Sequence, residues 1–543
     1  MKIKHNLLSL CLIVSVACMT LSLKAQNKFE WCGVMIDVSR HFIPIEYLYK
    51  EIDALSYFGM NRLHLHLTDA AGWRIEIKSR PRLTEVGAWR TECRWADWWN
   101  GNRQYSDKEH GFGGYYTQEE LKALVAYAKD HDVLIIPEIE FPAHSEEAIV
   151  AYPEIGYNHA EMDMANDKTY SFMRDVLTEV AEIFPAPYLH VGGDEAATQN
   201  SIQPIGMREV KKIVNALGKK MIVWDEALTD SPQDSDMIIM VWRDIKTARR
   251  ALELGHDVIL CPGKYCYLDK AQDAPIYEPF AAGGYLPIDS VFMMPNPAEG
   301  YDGHSRLLGL QCNLWTEHIE TPEYAEYMIW PRAFAIAELG QIGFTDKRDV
   351  KAFHKKALSA VRILRNKLQI NAFDLKKEVG ERKIQLKQYW PIKEVKYQTQ
   401  PSSAYPGSGK RTLCDGVFGG WNNTDGRWQG FIGKGIDIVL DLGKQCTFTS
   451  VLGDFMQSTG PEIYLPYRII VDISTNGIDW QGLYDAKYDE LYCARQEDYQ
   501  QMGWGDTKKQ SRYDATVSAR FIRVRALPGI KGGWIFCSEL FVQ

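Results

Sequence analysis

The chain has 543 residues, 45% of them hydrophobic and 24% charged. That length exceeds what one core organises, so two domains are expected, and the composition excludes a mainly disordered, collagenous or multi-span membrane chain. Lys+Arg at 62 against Asp+Glu at 71 leaves a net charge of −9, which argues against a nucleic-acid partner, because that role needs a basic face.

The chain opens Met1-Lys2-Ile3-Lys4-His5, runs apolar from Leu7 to Leu23, and continues Lys24-Ala25-Gln26. A basic start, an apolar stretch and a small residue read as a secretory signal peptide, residues 1–25, cut after Ala25. Lipoprotein cleavage at Cys18 is the weaker alternative, since Ser15 stands where a larger aliphatic residue is usual. No later stretch is long and apolar enough to span a bilayer. Removing the leader takes away three lysines and no acid, so the expected exported product, periplasmic or extracellular, carries −12. Two of the eleven cysteines fall in the leader. The other nine are scattered with no CxxC pair, which excludes a disulfide framework or zinc site but leaves room for one or two bridges.

From Gly33 to about Leu339, short apolar runs alternate with helical patterns. Strands are predicted at Gly33–Val38, Arg62–Leu67, Val133–Ile139, Tyr188–Val191, Met221–Trp224, Met237–Trp242, Asp257–Leu260 and Leu307–Leu314, with helices such as Pro44–Phe58, Gln118–Asp130, Tyr170–Ile183 and Ile245–Leu254 between them. Eight strands in some 300 residues, with no glycine-rich phosphate loop, fit a (β/α)8 TIM barrel over 26–345 better than an open doubly wound sheet. A helical extension and linker follow over 346–400. After Ser402 the texture turns to short alternating segments, Ile436–Leu442, Phe448–Leu452, Arg468–Ser474 and Ala519–Ala526, predicting an all-β sandwich domain over 401–543.

Barrel enzymes carry their chemistry at the C-terminal ends of the strands, and chemistry-bearing residues cluster at those ends here. Asp194-Glu195 follows an apolar strand and two glycines. Successive residues point in different directions, so the two acids are expected to play different parts: one, partly buried, with a raised pKa to protonate a leaving group, the other orienting or charging its neighbourhood. Trp224, Trp242 and Trp315 end three different strands and read either as pocket walls or as core filler, the walls being favoured because barrel interiors normally use Val, Ile and Leu. His64 and His66 share one face of the second strand. They raise a rival reading, a metal-dependent amidohydrolase, which lacks further ligands because no histidine occurs from Ala196 to Gly255. The alternative for both is packing and hydrogen bonding inside the barrel.

Asp37-Val38-Ser39-Arg40-His41-Phe42, His66-Leu67-Thr68-Asp69 with Gly72-Trp73-Arg74, Pro137-Glu138-Ile139 with Pro142 and His144, and above all His190-Val191-Gly192-Gly193-Asp194-Glu195 resemble glycoside hydrolase family 20, the β-N-acetylhexosaminidases. Trp224-Asp225-Glu226, Tyr267-Leu268-Asp269 and Trp315-Thr316-Glu317 match later motifs in order. The resemblance implies a retaining mechanism without an enzyme nucleophile and without a cofactor, acting on a glycan with a terminal N-acetylhexosamine, in which the substrate's acetamido oxygen attacks the anomeric carbon. By the same implication Glu195 is the general acid and base, Asp194 accepts the acetamido N–H, and Tyr267 donates to the acetamido oxygen. Trp224, Trp242 and Trp315 enclose the sugar, Asp269, Glu317 and Arg40 bind it, and His144 and Asp69 tune Glu195.

Three positions depart from the family pattern. Cys32 stands where members usually carry an arginine, Leu65 replaces the tryptophan of a His-Trp-His, and Ala70 replaces the second Asp of an Asp-Asp pair. Two readings of Cys32 stay open. Either the site has lost a fork of donors to two sugar hydroxyls, shifting specificity with Trp95–Trp99 supplying replacement contacts, or Cys32 is a buried strand residue and Arg90, Arg94 or Arg103 reaches the same hydroxyls. A barrel that has lost activity and only binds glycans is the second function class. Asp415-Gly416, Trp421, Trp428-Gln429-Gly430-Phe431, Ile438–Gly443, Ser474-Thr475-Asn476-Gly477 and Arg520-Phe521-Ile522-Arg523-Val524 resemble discoidin-like (coagulation factor 5/8 type C) carbohydrate-binding modules, some of which hold a structural calcium ion.

Overall fold

The computed structural model describes residues 28–543 except 200, 229–234, 276–277, 280, 283, 301–303, 346, 381–388, 489–496 and 506–515. The expected signal peptide lies outside the described residues.

Eight parallel strands close a barrel: β1 (Trp31–Asp37), β2 (Arg62–His66), β3 (Leu134–Phe141), β4 (Tyr188–Gly192), β5 (Lys220–Trp224), β6 (Ile238–Val241), β7 (Asp257–Leu260) and β8 (Leu307–Leu314), each hydrogen-bonded to its sequence neighbours, with β8 returning to β1. Every predicted barrel strand is present within a few residues. The helices that cover it include α1 (Ile45–Tyr57), α2 (Gln118–Asp130), α3 (Asp167–Ile183), α4 (Gln203–Ala216), α5 (Ile245–Glu253) and α6 (Arg332–Ile342). Thr117 opens α2 with a reciprocal cap, accepting from the Glu120 amide while Glu120 accepts from the Thr117 amide.

Alternate residues of a strand face opposite ways, and on β1 this decides what each side chain meets. Trp31 Nε1 donates inward to Gln311 Oε1 at 3.1 Å, whereas Cys32 packs outward, its Sγ 3.6 Å from the Ile336 carbonyl of α6. The barrel centre is polar rather than aliphatic. Gln311 bridges His64 Nδ1 at 3.1 Å and Asn313 at 3.0 Å, so His64 belongs to interior hydrogen bonding.

A further helix, α7 (Val350–Asn366), within the stretch read as a helical extension, lays Phe353, Ala357, Val361 and Leu364 on the barrel core. The second domain is a sandwich of a five-stranded and a four-stranded antiparallel sheet. Its first strand, Glu394–Tyr397, lies where the sequence reads as linker. This edge strand alternates polar and apolar residues but is only four residues long, and even Val395 and Tyr397 are only partly buried. The run expected as a strand at Phe448–Leu452 is instead the corner between Ile436–Phe448 and Val451–Ser458.

The two domains share a small apolar cluster of Ala274 from the barrel with Phe418, Leu452 and Phe541 from the sandwich. Among the described residues there is no disulfide, and of the eight described cysteines only Cys93 is exposed. No helix of the described residues is long and apolar enough to cross a membrane.

Candidate active site

Ten side chains line a cavity of about 210 Å³ at the C-terminal mouth of the barrel: Arg40, His144, Asp194, Glu195, Trp224, Trp242, Tyr267, Asp269, Trp315 and Glu317. Of the predicted site residues only Asp69 lies behind this wall. It bridges three of the network's cations, with Arg40 Nη2 at 2.7 Å, His66 Nε2 at 2.9 Å and His144 Nδ1 at 3.1 Å.

The strand ends are bent to bring the acids there. His144 and Glu195 both occupy the left-handed region, with φ 54 and 48, as do Gly192 and Gly193 before them. Gly192 is required twice, because a Cβ at this positive φ would also stand 1.8 Å from Glu140 Oε2. The backbone thus turns over a buried carboxyl and presents Asp194 and Glu195 differently. Asp194 is partly buried, its side chain 13% exposed and its Oδ1 lacking a hydrogen-bond partner, while the Glu195 side chain is 61% exposed.

Beneath them lies a buried network of alternating charge. Glu138 sits 2.6 Å from His66 Nδ1, 2.8 Å from His190 Nδ1 and 3.0 Å from His64 Nε2. Burial would raise the Glu138 carboxyl, but the three histidines hold it well below the usual carboxylate range. Burial disfavours a charged His66, yet Glu138 and Asp69 raise it to about 10, while burial holds His64 down at about 4. Geometrically, His64, Glu138 and His190, or His66, Glu138 and Glu140, are close enough to hold an ion. Both nitrogens of His66 already face carboxylates as donors, which leaves it no lone pair for a metal. Glu140 is pushed well above its ordinary value by burial and then by Asp194 and Glu138.

Charge passes outward through Asp69 to His144. Burial opposes protonation of His144, but Asp69 and Asp194 outweigh it and raise it well above its ordinary value. His144 Nε2 then stands 3.2 Å from Glu195 Oε2 and 3.7 Å from Asp194 Oδ2. The raised carboxyl expected of the acid pair is Asp194, raised by burial, whereas Glu195 is lowered by its hydrogen bond to His144.

The aromatic walls converge. Tyr267 stacks on Trp242 at 6.1 Å and meets Trp315 edge-on at 5.9 Å, and Trp315 lies 6.1 Å from Trp224. Glu226, to which the sequence reading gave no role, orients Trp242 by accepting its Nε1–H at 2.9 Å. Asp37 was also missed: it holds Arg40 at 3.2 Å and accepts from the Thr316 amide at 3.1 Å. The signal for both was their place at strand ends, which many structural acids share.

Of the two readings of Cys32, the structure gives the buried strand residue, without a substitute arginine from the insertion. Cys32 is buried against α6, outside the barrel wall, and cannot replace a sugar ligand. Arg90 is spent on the backbone carbonyls of Glu92, Cys93 and Arg40, Arg94 pairs with Asp97, and Arg103 stacks 3.4 Å over Trp99. The arginine in the cavity is Arg40, between the Trp315 ring at 5.0 Å and the Trp95 ring at 5.8 Å. Ala70 packs with Trp95 and Trp98 of the insertion, and Leu65 is buried on the strand face opposite His64 and His66, so none of the three departures touches the cavity.

Residues 29–204 and 198–340 match the model of glycosyl hydrolase family 20, catalytic domain. The chain is 36% identical over 353 residues to a beta-hexosaminidase of Porphyromonas gingivalis, covering 58% of this chain and 44% of that protein. It is 35% identical over 357 residues to one of Vibrio furnissii, covering 59% and 57%. The chain thus spans about half the length of these curated relatives. Among solved structures it is similar to an exo β-N-acetylglucosaminidase of Vibrio harveyi in complex with N-acetylglucosamine, at 30% identity and TM-score 0.54, covering 64% of this chain and 59% of that one. A Streptomyces plicatus N-acetyl-β-hexosaminidase aligns at 28% identity and TM-score 0.55, covering 65% and 72%.

Proposed function

The chain belongs to glycosyl hydrolase family 20, and from that membership and the cavity we propose that it is an exo-acting β-N-acetylhexosaminidase. It releases terminal β-linked N-acetylglucosamine or N-acetylgalactosamine from glycans by a retaining, substrate-assisted route. The observation that carries this reading is the unequal acid pair at the end of β4. Asp194 is the more enclosed, beside the aromatic wall, whereas Glu195 stands exposed at the mouth against His144.

In this reading the aglycone oxygen lies at Glu195. Sugar binding expels water from that carboxyl and favours its protonated form, which gives its proton to the leaving oxygen as the C1–O bond breaks. The acetamido oxygen forms the new bond to C1. Asp194 accepts the acetamido N–H and balances the positive charge that develops, and Tyr267 donates to the oxygen. Water, losing a proton to Glu195, then attacks C1 and reopens the ring. Two inversions give retention. Arg40, Asp269 and Glu317 hold hydroxyls at the far end, with the carboxyls of Asp269 and Glu317 raised by burial to about 6 and about 7.

The binding-only reading loses its motive, since none of Cys32, Leu65 and Ala70 lines the cavity. Hydrolysis of a chromogenic N-acetyl-β-glucosaminide and its galacto epimer tests the choice. Turnover of either supports the enzyme, and turnover of neither restores the binder.

The leader supports export to the periplasm or beyond. The sandwich supports a discoidin-like glycan-binding module, although Trp428 and Trp504 lie in its core and Trp421 faces the barrel. We propose that a structural calcium ion, if the sandwich holds one, lies beside Glu539. Its buried Oε1 has no hydrogen-bond partner, and its carboxyl is pushed to about 9 by burial and then by nearby Asp415. Asp415 and Glu539 would hold the ion.

A further inference from the structure

The segment that carries Tyr267 and Asp269 into the cavity continues to Asp273 and Ala274, and its two ends are held by different domains. Near its start, α6 supplies buried Arg332, whose guanidinium donates to the carbonyls of Leu268 at 2.6 Å and Lys270 at 2.7 Å. At its far end the sandwich takes over. Trp421 Nε1 donates to the Asp273 carbonyl at 2.8 Å, and Ala274 packs among Phe418, Leu452 and Phe541. The Asp273 carboxylate accepts from the amides of Val379 and Gly380 at 3.1 and 2.7 Å, tying in the chain that leads toward the sandwich.

Trp421 is itself fixed from behind. Tyr499 of the four-stranded sheet meets its ring edge-on at 4.7 Å, and the Tyr499 hydroxyl donates to the Trp421 carbonyl at 2.9 Å. Its indole also packs on the barrel core. Asp269, four residues before Asp273, is a cavity wall whose buried Oδ1 has no hydrogen-bond partner, so the backbone rather than a side-chain contact sets where that oxygen stands.

We propose that Trp421 of the sandwich is a positioning residue for Asp269, so that the second domain helps shape the sugar pocket instead of only binding glycan elsewhere. The inference rests on the reading that Asp269 meets a sugar hydroxyl. Its physical content is that a hydrogen bond at Asp273 restrains a segment whose functional carboxylate has no brace at Oδ1. Small misplacements of such a group are costly to a reaction that depends on orientation.

The test uses the full chain and two small chromogenic substrates, the N-acetyl-β-glucosaminide and its galacto epimer, which differ at one hydroxyl. Trp421→Phe keeps most of the ring and removes the donor. It is expected to lower kcat/KM by about five-fold or more, the worth of one ordinary hydrogen bond, and to change the gluco-to-galacto ratio in the same direction as Asp269→Asn. In the Asp269→Asn background the same substitution should cost less than about two-fold, because residues acting through one another are not additive. Phe418→Leu, which loosens the packing on Ala274 without touching the indole, should move the ratio the same way and serves if Trp421→Phe does not fold. Equal losses in both backgrounds, or an unchanged ratio, overturn the proposal. An Asp269→Asn variant with wild-type rates and ratio instead removes the reading of Asp269, and the proposal falls with it.

Discussion

His144 Nε2 stands 3.2 Å from Glu195 Oε2, and the two residues that make this contact both hold left-handed backbone, φ 54 and 48. A protonated imidazole here favours the ionised form of Glu195, opposing the proton donor that the first step needs. His144→Gln removes that charge, so the Glu195 pKa rises and its acid form persists to higher pH. The alkaline limb of kcat/KM, which reports the free enzyme's acid, should therefore move upward while the plateau falls by about 10²-fold. A lower plateau with an unmoved limb refutes the electrostatic link.

Glu195→Gln should lower kcat on the chromogenic N-acetylglucosaminide by about 10³-fold or more, and Asp194→Asn by about 10²-fold, the range for one acid–base group and one electrostatic stabiliser. Near wild-type turnover of purified Glu195→Gln sinks the assignment.

Much of this site is legible in the sequence because strand ends are legible. Apolar runs of four to eight residues mark β1 to β8, and the side chains just past each run must gather at one mouth. Ten of the proposed residues do so for that reason. Cys32 stayed open because its meaning depends on strand parity, and one residue's shift sends a side chain through the wall. The pKa order of Asp194 and Glu195 was illegible for a different reason: it depends on His144, fifty residues away, and on which acid the turn at Gly192 leaves exposed. The link from Trp421 to Asp273 joins residues 148 apart with no local pattern to announce it.

If the acetamido oxygen is the nucleophile, a β-glucoside lacking that group should be hydrolysed at least about 10³-fold more slowly, and a thiazoline mimic of the cyclic intermediate should inhibit far more tightly than the product sugar. Comparable rates on glucoside and N-acetylglucosaminide exclude the substrate-assisted route.

Binding of calcium beside Glu539 should stabilise the sandwich by mass action. Thermal unfolding in excess Ca²⁺ and in chelator should differ by several degrees, and Glu539→Gln should abolish the difference. Identical transitions in both media mean that Asp415 and Glu539 hold no ion.

The last prediction separates two arginine positions. Cys32 is fully buried, and a Cβ placed at Gly340 of α6 would come within 2.8 Å of its Sγ, so there is no room for a longer side chain. Cys32→Arg drives a guanidinium into the seam between β1 and α6 and leaves an unpaired charge there, a change that costs about 3–5 kcal/mol. It should lower Tm or soluble yield and leave the sugar preference of the surviving enzyme unchanged. Arg40→Lys is the opposite case. Lysine keeps the charge between Asp37 and Asp69 but loses the planar fork and its stacking on Trp315 and Trp95. KM for the N-acetylglucosaminide should rise and kcat/KM fall by about 10²-fold with little change in Tm, because charge-assisted hydrogen bonds to the sugar are lost. A panel of terminal sugars altered at positions 3, 4 and 6 decides it. If Cys32→Arg changes the preference and Arg40→Lys does not, the hydroxyl ligand has been placed on the wrong side of the barrel wall.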